Sequence, residues 1–257
     1  MRIISIGLIQ TSVKYDDPRK NISSVIDAVS TLSDIDILAI HENWILRKNF
    51  IDKNLYYDAS FSVLNSSKAR IFVAGSAYVK EGSEVFSKSV IIDRENNIAE
   101  GGKIFPSTAV GERDRVKPFK KPALYEKNNF SIGSVVCVDI MYPEITRYLA
   151  LNGAEIIFNP SLIPSNRKYL WRSVASARSS ENGVYVIHIN ATKTLYYDGR
   201  RVDGGSFITD PWGYVVFEAD DREDVFIAEI DLDEIGIARS RWRYLEDIKE
   251  RKWIAEI

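Results

Sequence analysis

FSIGSVVCVDIMYPEITRYLALNGAEIIFNPS, residues 130–161, reads as strand, helix, strand. Residues 130–138 are almost continuously apolar, the mark of a strand buried on both faces rather than one with a wet side. Residues 142–152 carry helical spacing, and Gly153 stands where a left-handed residue would end that helix. Residues 155–158 form a second apolar strand that stops at Asn159-Pro160-Ser161.

The same rhythm extends in both directions. Downstream, residues 170–182 suit a helix and residues 184–190 a strand. Strands follow at 205–209, 214–218 and 225–230, with the turn DPWG at 210–213 between the first two. Upstream, residues 3–10 read as a first strand. Residues 21–32 read as a helix, with Ile22, Val25, Ile26, Val29 and Leu32 on one face. Residues 36–40 form a short apolar strand ending at His41-Glu42. A helix at 60–69, strands at 71–77 and 85–93, and a turn at 95–97 before a short partner strand complete the first half. Residues 101–122 are rich in Pro, Lys and Gly with little periodicity, and long irregular segments in compact domains are often functional. Strands alternating with helices predict an α/β layered domain. DIDILAIHE at 34–42 resembles GAEIIFNPS at 153–161, which hints at two similar halves. No linker divides the chain, so residues 1–257 are taken as one domain.

The 257 residues are 45% apolar and 27% charged, the balance of an ordinary globular protein with room for a sizeable core. Lys+Arg 34 against Asp+Glu 36 gives a net charge of -2, with no electrostatic footprint for nucleic acid. No apolar run approaches the ~20 residues that span a bilayer. Residues 1–10 lack a small-residue cleavage site and are taken as the first strand, not a signal peptide. A single cysteine cannot form an internal disulfide, which suits the reducing cytoplasm.

Two histidines, His41 and His188, limit the chemistry. His188 lies within an apolar strand, where a satisfied core histidine is the plain reading. His41 sits at a strand end beside Glu42 and is the better placed for a Cys-His pair. Metal-ligand spacings of the C-x-x-C or H-E-x-x-H type, a Walker A loop and a G-x-G-x-x-G turn are all missing from the sequence. Cys137 falls at a strand-to-helix turn, where a nucleophile projects and helix N-terminal N–H groups stabilise an oxyanion. A free cysteine is more often a small buried hydrophobe. A thiol of pKa ~8.5 needs a base or a cation at neutral pH. Glu42 and Lys103 are candidates, but spacing alone does not single them out from the other charged residues.

Six segments in order do. DILAIHE (36–42), GKIFP (102–106), VVCVDIMYPE (135–144), NGAEIIFNPS (152–161), WRSVASARSSENGVYVIHIN (171–190) and GSFITDPWG (205–213) resemble the nitrilase superfamily, carbon–nitrogen hydrolases with a Glu-Lys-Cys triad. The resemblance implies Glu42 as general base, Lys103 as the catalytic lysine and Cys137 as nucleophile, with Glu112 of GER (111–113) as a second glutamate lining the site. Departures are plain: Val138 stands where many amidase members have tyrosine, Met141 where they have arginine, and KIFP lacks the histidine that commonly follows the lysine motif. Asp139 and Pro143-Glu144 favour the amidase or carbamoylase side.

What the resemblance implies is a four-layer α-β-β-α sandwich, dimerised, needing neither metal nor organic cofactor. Residues 241–257 would be a C-terminal tail, with Trp242, Tyr244, Leu245, Ile248 and Trp253, packing across the dimer. The reaction would be hydrolysis of a small amide or carbamoyl compound through a cysteine thioester, the oxyanion held by Lys103 and the Val138 N–H. Tyr142, Trp44 and Trp171 are candidates to line the substrate pocket. Nitrile hydrolysis by the same triad, a Cys137–His41 hydrolase, and a silent binding protein on this fold are the alternatives.

Overall fold

The computed structural model describes residues 1–14, 16–128 and 130–251. In chain order it contains β1 (Ile3–Gln10), α1 (Pro18–Val29), β2 (Ile35–Ile40), β3 (Ile51–Asp52), α2 (Lys53–Ser66), β4 (Ala69–Val73), β5 (Ala77–Glu81), β6 (Glu84–Asp93) and β7 (Ile98–Gly102). The second half follows with β8 (Ala123–Lys127), β9 (Phe130–Ser134), α3 (Pro143–Leu151), β10 (Ile156–Ser161), α4 (Lys168–Ser180) and β11 (Tyr185–Asn190). Then come β12 (Thr194–Leu195), β13 (Arg201–Val202), β14 (Phe207–Thr209), β15 (Val215–Glu218), β16 (Asp224–Asp231), α5 (Asp233–Arg241) and α6 (Tyr244–Glu250).

The strands form two main sheets. One runs β16-β1-β2-β4-β6-β5-β3 with β7 on β6, and the other runs β15-β14-β11-β10-β9-β8. In the first sheet β2 lies parallel between β1 and β4; in the second β10 lies parallel between β9 and β11. The two look-alike segments of the sequence therefore end the same strand of each parallel triple.

Side-chain alternation along these strands sets the layers. Ile6, Leu8, Ile37, Ala39, Val73 and Ile91 of the first sheet meet Ile132, Ile156, Phe158, Ile187 and Ile208 of the second in one core. The intervening residues Leu38, Ile40, Phe72, Val90 and Ile92 face outward onto α1 and α2, through Ile22, Val25, Val29, Tyr56 and Val63. Ile157, Val186 and Phe207 likewise face α3 and α4, through Ile145, Leu149 and Ala175. The order is helix, sheet, sheet, helix. A strand covered on both faces needs a largely apolar run, which β2 (IDILAI), β11 (YVIHIN) and the first half of β10 (IIF) have.

Several boundaries differ from the sequence reading. The second helix occupies residues 53–66 rather than 60–69, because Asp52 caps it by accepting from the Asn54 N–H. The strand read at 71–77 ends at Val73. Gly75 takes φ +59°, where a side chain would strike the His41 carbonyl, and a separate strand, β5, starts at Ala77. The strand read at 130–138 stops at Ser134, four residues early. β10 continues through Asn159-Pro160-Ser161, so these residues end the strand instead of interrupting it. Within the described part of the tail, Leu245 packs on the core beneath α3, while Trp242 and Tyr244 stack on one another at the surface. Trp253 lies outside the described residues. No helix among the described residues is long and apolar enough to cross a membrane.

At the opposite end from His41-Glu42, Asp93 of β6 ties the sheets together. Its carboxylate accepts from the Tyr125 hydroxyl (2.7 Å), the Lys127 ammonium (2.8 Å) and the Asn97 side chain (2.8 Å). Burial alone would raise its proton affinity, but the bonds from Asn97, Lys127 and Tyr125 outweigh that and hold the carboxyl well below its ordinary value. A depressed carboxyl stabilises the fold above its unfolded pKa and loses that contribution as pH falls. Asp93→Asn should therefore cost about 2 kcal/mol at pH 7. In urea unfolding, the gap from wild type should narrow below pH 4; a gap independent of pH would refute this.

Candidate active site

Strand ends converge where β2 and β10 finish. Glu42 follows β2 directly, its N–H reaches the Ser161 carbonyl of β10 (3.4 Å), and it bridges Ser76. Lys103 follows β7, and its own N–H and C=O bond to Ser87 and Phe119, which fixes the start of the irregular segment. Glu112 opens a 3-10 turn after Gly111, a left-handed residue at φ 66°. Cys137 opens a second 3-10 turn, 137–141, and is itself left-handed at φ 49°. A non-glycine residue there is strained by about 1–3 kcal/mol and needs its surroundings to hold it. Asn159 does so, donating to the carbonyls of Cys137 (3.0 Å) and Val135 (2.7 Å). Arg178 of α4 grips the other end of the turn through the carbonyls of Ile140 and Met141.

Four of the expected residues meet. The Lys103 ammonium lies 2.6 Å from Glu42 Oε1, and 2.8 and 2.9 Å from the two oxygens of Glu112. Cys137 lies close enough to Glu42 for the carboxylate charge to raise the proton affinity of its thiol. Lys103 and Glu112 are 1% exposed, Glu42 3% and Cys137 8%, so all four are buried and Cys137 is the least enclosed of them.

The two carboxylates are not equivalent. Besides Lys103, Glu112 accepts from the Tyr78 hydroxyl (2.7 Å) and the Ser107 N–H (2.6 Å). Burial opposes its ionisation, but Lys103 and these donors hold it below the ordinary range. Glu42 has one bond from Lys103 and a longer one from the Leu162 N–H (3.2 Å). Burial, helped by the Glu112 charge, lifts its proton affinity despite Lys103. Burial also disfavours the Lys103 ammonium, yet Glu42 and Glu112 outweigh it and the group stays charged. Burial and the Glu42 charge push the Cys137 thiol well up, against the pull of Lys103, so at rest the sulfur is protonated.

The other expected residues separate. Val138 follows Cys137 at the start of the turn. Tyr142 stacks on Phe105 (centroids 4.0 Å apart), at the junction of turn and lysine segment. Trp171 packs on Val136, Cys137 and Ile163, and its buried indole N–H has no partner among the described residues. Trp44 corrects the expectation of a pocket residue. The chain reverses at left-handed Asn43, and the indole sits 1% exposed in the core under α1 and α2, donating to the Ala74 carbonyl (2.7 Å).

A Cys137–His41 pair is not formed. The His41 ring contacts the Glu42 carbonyl (2.9 Å) and the Thr11 hydroxyl (3.1 Å), and burial lowers its pKa to about 4. His188 bonds Asn159 Oδ1 (2.9 Å) and stacks on Phe207, its pKa lowered by burial to about 3. It is a core histidine that orients Asn159, which in turn holds Cys137.

Sequence reading missed Tyr78, Asn159 and Tyr197. Tyr78 lies on β5, which was not read as a strand. The Tyr197 hydroxyl meets Tyr78 (3.0 Å), Asn43 (3.1 Å) and the Arg47 carbonyl (3.0 Å), so the β12–β13 hairpin docks onto the charged cluster. Residues 191–204 carry no periodicity that would have flagged it. The polar stop NPS was a visible signal for Asn159.

Residues 59–240 match the family described as Carbon-nitrogen hydrolase. The chain is 27% identical to a 2-oxoglutaramate amidase of Bacillus subtilis, over 96% of this chain and 98% of that protein. It is 28% identical to an (R)-stereoselective amidase of Pseudomonas sp, over 95% and 91%. Among solved structures, Saccharomyces cerevisiae Nit3, a member of branch 10 of the nitrilase superfamily, superposes with TM-score 0.82 at 21% identity, covering 94% of each chain.

Lys103→Met would leave two buried carboxylates without their shared cation. We expect a loss of about 3–5 kcal/mol at pH 8. The carboxyls would then have folded-state pKa values above their ordinary 4.5, so stability should recover as pH falls toward 5. Chemical denaturation at both pH values checks this, and an equal loss at each would contradict it.

Proposed function

The chain belongs to the carbon–nitrogen hydrolase family and is an amidohydrolase; from that premise we propose that it cleaves small primary amides through a thioester on Cys137. The observation that carries this reading is the Lys103 ammonium bound to Glu42 and Glu112 at once, with the Cys137 thiol within the electrostatic reach of Glu42 and Lys103.

Sulfur is protonated at rest, so attack and deprotonation go together. Glu42 takes the thiol proton as Sγ bonds to the amide carbon, and the carbonyl π electrons move to oxygen. Lys103 and the Val138 N–H face the developing oxyanion; losing one such donor typically costs 10²–10³-fold in rate. Glu42 passes its proton to nitrogen, the C–N bond breaks and ammonia leaves. Water then attacks the thioester, giving its proton to Glu42. The second tetrahedral intermediate collapses to the carboxylic acid, the C–S bond breaks and the sulfur recovers its proton. The raised proton affinity of Glu42 suits a group that must accept and return a proton in each half-reaction. Glu112, held ionised, keeps Lys103 charged throughout.

The narrow exposure at Cys137 supports a small leaving group, and the amidase relatives support an amide over a nitrile. Trp171 and Tyr142 would contact the acyl portion, with the unpartnered Trp171 indole N–H available to a polar atom of the substrate.

Ammonia release should be measured over omega-amides of small dicarboxylic acids, simple aliphatic amides, carbamoyl-amines and nitriles, with mass spectrometry of the enzyme during turnover. We expect release from the primary amides and a transient acyl mass on Cys137. Cys137→Ala should lose roughly 10³-fold or more in turnover while keeping its melting temperature. Wild-type turnover by Cys137→Ala would overturn the reading.

A further inference from the structure

Asp139 lies two residues beyond Cys137 and is 1% exposed. It turns to the lysine segment, where Oδ2 accepts the Ile104 N–H (2.6 Å) and Oδ1 accepts the Phe105 N–H (3.0 Å). These are the two peptide groups immediately after Lys103. Upstream, Lys103 is fixed by its own bonds to Ser87 and Phe119, so Asp139 supplies the other half of its anchorage. The Tyr142–Phe105 stack closes the same junction.

We propose that Asp139 is a positioning residue that locks the Lys103 ammonium to the Cys137 turn, so that one 3-10 turn sets both the nucleophile and its cation. This rests on the triad reading above. The physical case is the match of donors to acceptor. A carboxylate presents two acceptor oxygens to two parallel N–H groups, and charge-assisted bonds of this kind are about twice as strong as neutral ones. An amide in the same place would turn an NH₂ toward one of those donors. Groups facing Asp139 act in opposite directions: Lys103 favours its ionised form and Glu112 opposes it. Arg178 is engaged with the carbonyls of Ile140 and Met141 at the far end of the turn. Burial, the largest influence, raises the Asp139 pKa to about 7 against the two N–H donors, so the clamp is carboxylate above neutrality. A buried carboxyl with so high a pKa destabilises the fold when ionised, which is not what a purely structural brace would require.

Because the chain has one cysteine, iodoacetamide labelling followed by mass spectrometry reports on Cys137 alone. The labelling rate at pH 8 is compared in wild type, Asp139→Asn, Lys103→Met and the double variant. Lys103 favours the thiolate, so letting it drift slows alkylation. We expect Asp139→Asn to slow labelling about tenfold in the wild-type background and by less than twofold when Lys103 is already Met. Equal slowing in both backgrounds, or none in either, overturns the proposal. If Lys103→Met instead left both labelling and amide turnover unchanged, the triad reading itself would fail, and the two failures are distinguishable. Should Asp139→Asn not fold, the wild-type protein suffices: the Ile104 and Phe105 amide proton shifts should titrate together with a midpoint near 7. Shifts that stay flat from pH 5 to 9 would refute it.

Discussion

A buried ammonium shared by two buried carboxylates is the constraint on which the rest of the site depends. Three charges removed from water are tolerated only if every one is met by an opposite charge or a donor. Lys103 meets Glu42 and Glu112, Glu112 is further satisfied by Tyr78 and Ser107, and Glu42 by Leu162. The surplus negative charge is distributed unevenly. Glu112 collects the donors and is held ionised; Glu42, with fewer, has its proton affinity raised. The difference in proton affinity follows from unequal solvation of two chemically identical side chains.

The fold supplies this cluster because its two sheets face each other with their parallel strands ending at one rim. β2 delivers Glu42, β10 delivers Asn159 and Ser161, and the turn after β9 delivers Cys137. Irregular segments bring Lys103 and Glu112, and a hairpin covers the far side through Tyr197. The end of β2 leads into Glu42 and a braced 3-10 turn holds the thiol, while backbone hydrogen bonds pin the loop carrying Lys103. Strain at Cys137 is held by Asn159, oriented in turn by His188, so a histidine contributes although neither histidine touches the thiol.

Legibility in the sequence followed the strength of the local signal. Continuous apolar runs made β2, β9 and β11 readable, and the alternation of strands and helices announced the layered class. Glu42, Lys103, Glu112 and Cys137 were reachable only through the ordered resemblance, since any one of them is an ordinary charge or thiol by local pattern. Tyr78 and Tyr197 escaped because their contacts join segments 119 residues apart, which no periodicity encodes. Trp44 was misplaced for a related reason: adjacency to Glu42 in sequence says nothing about direction once the chain reverses at a left-handed asparagine. Asp139 was visible as part of the nucleophile motif, but its partners, the N–H groups after Lys103, were not.

The central claim is that Glu42 and Glu112 differ in proton affinity because Lys103 and its neighbours favour the second. A pH titration of the glutamate side-chain carboxyls by ¹³C NMR, assigned with Glu42→Gln and Glu112→Gln, tests it directly. The Glu112 resonance should remain that of a carboxylate to below its ordinary 4.5, and the Glu42 resonance should titrate above that value. Coincident titration of the two, or protonation of Glu112 first, would contradict the account.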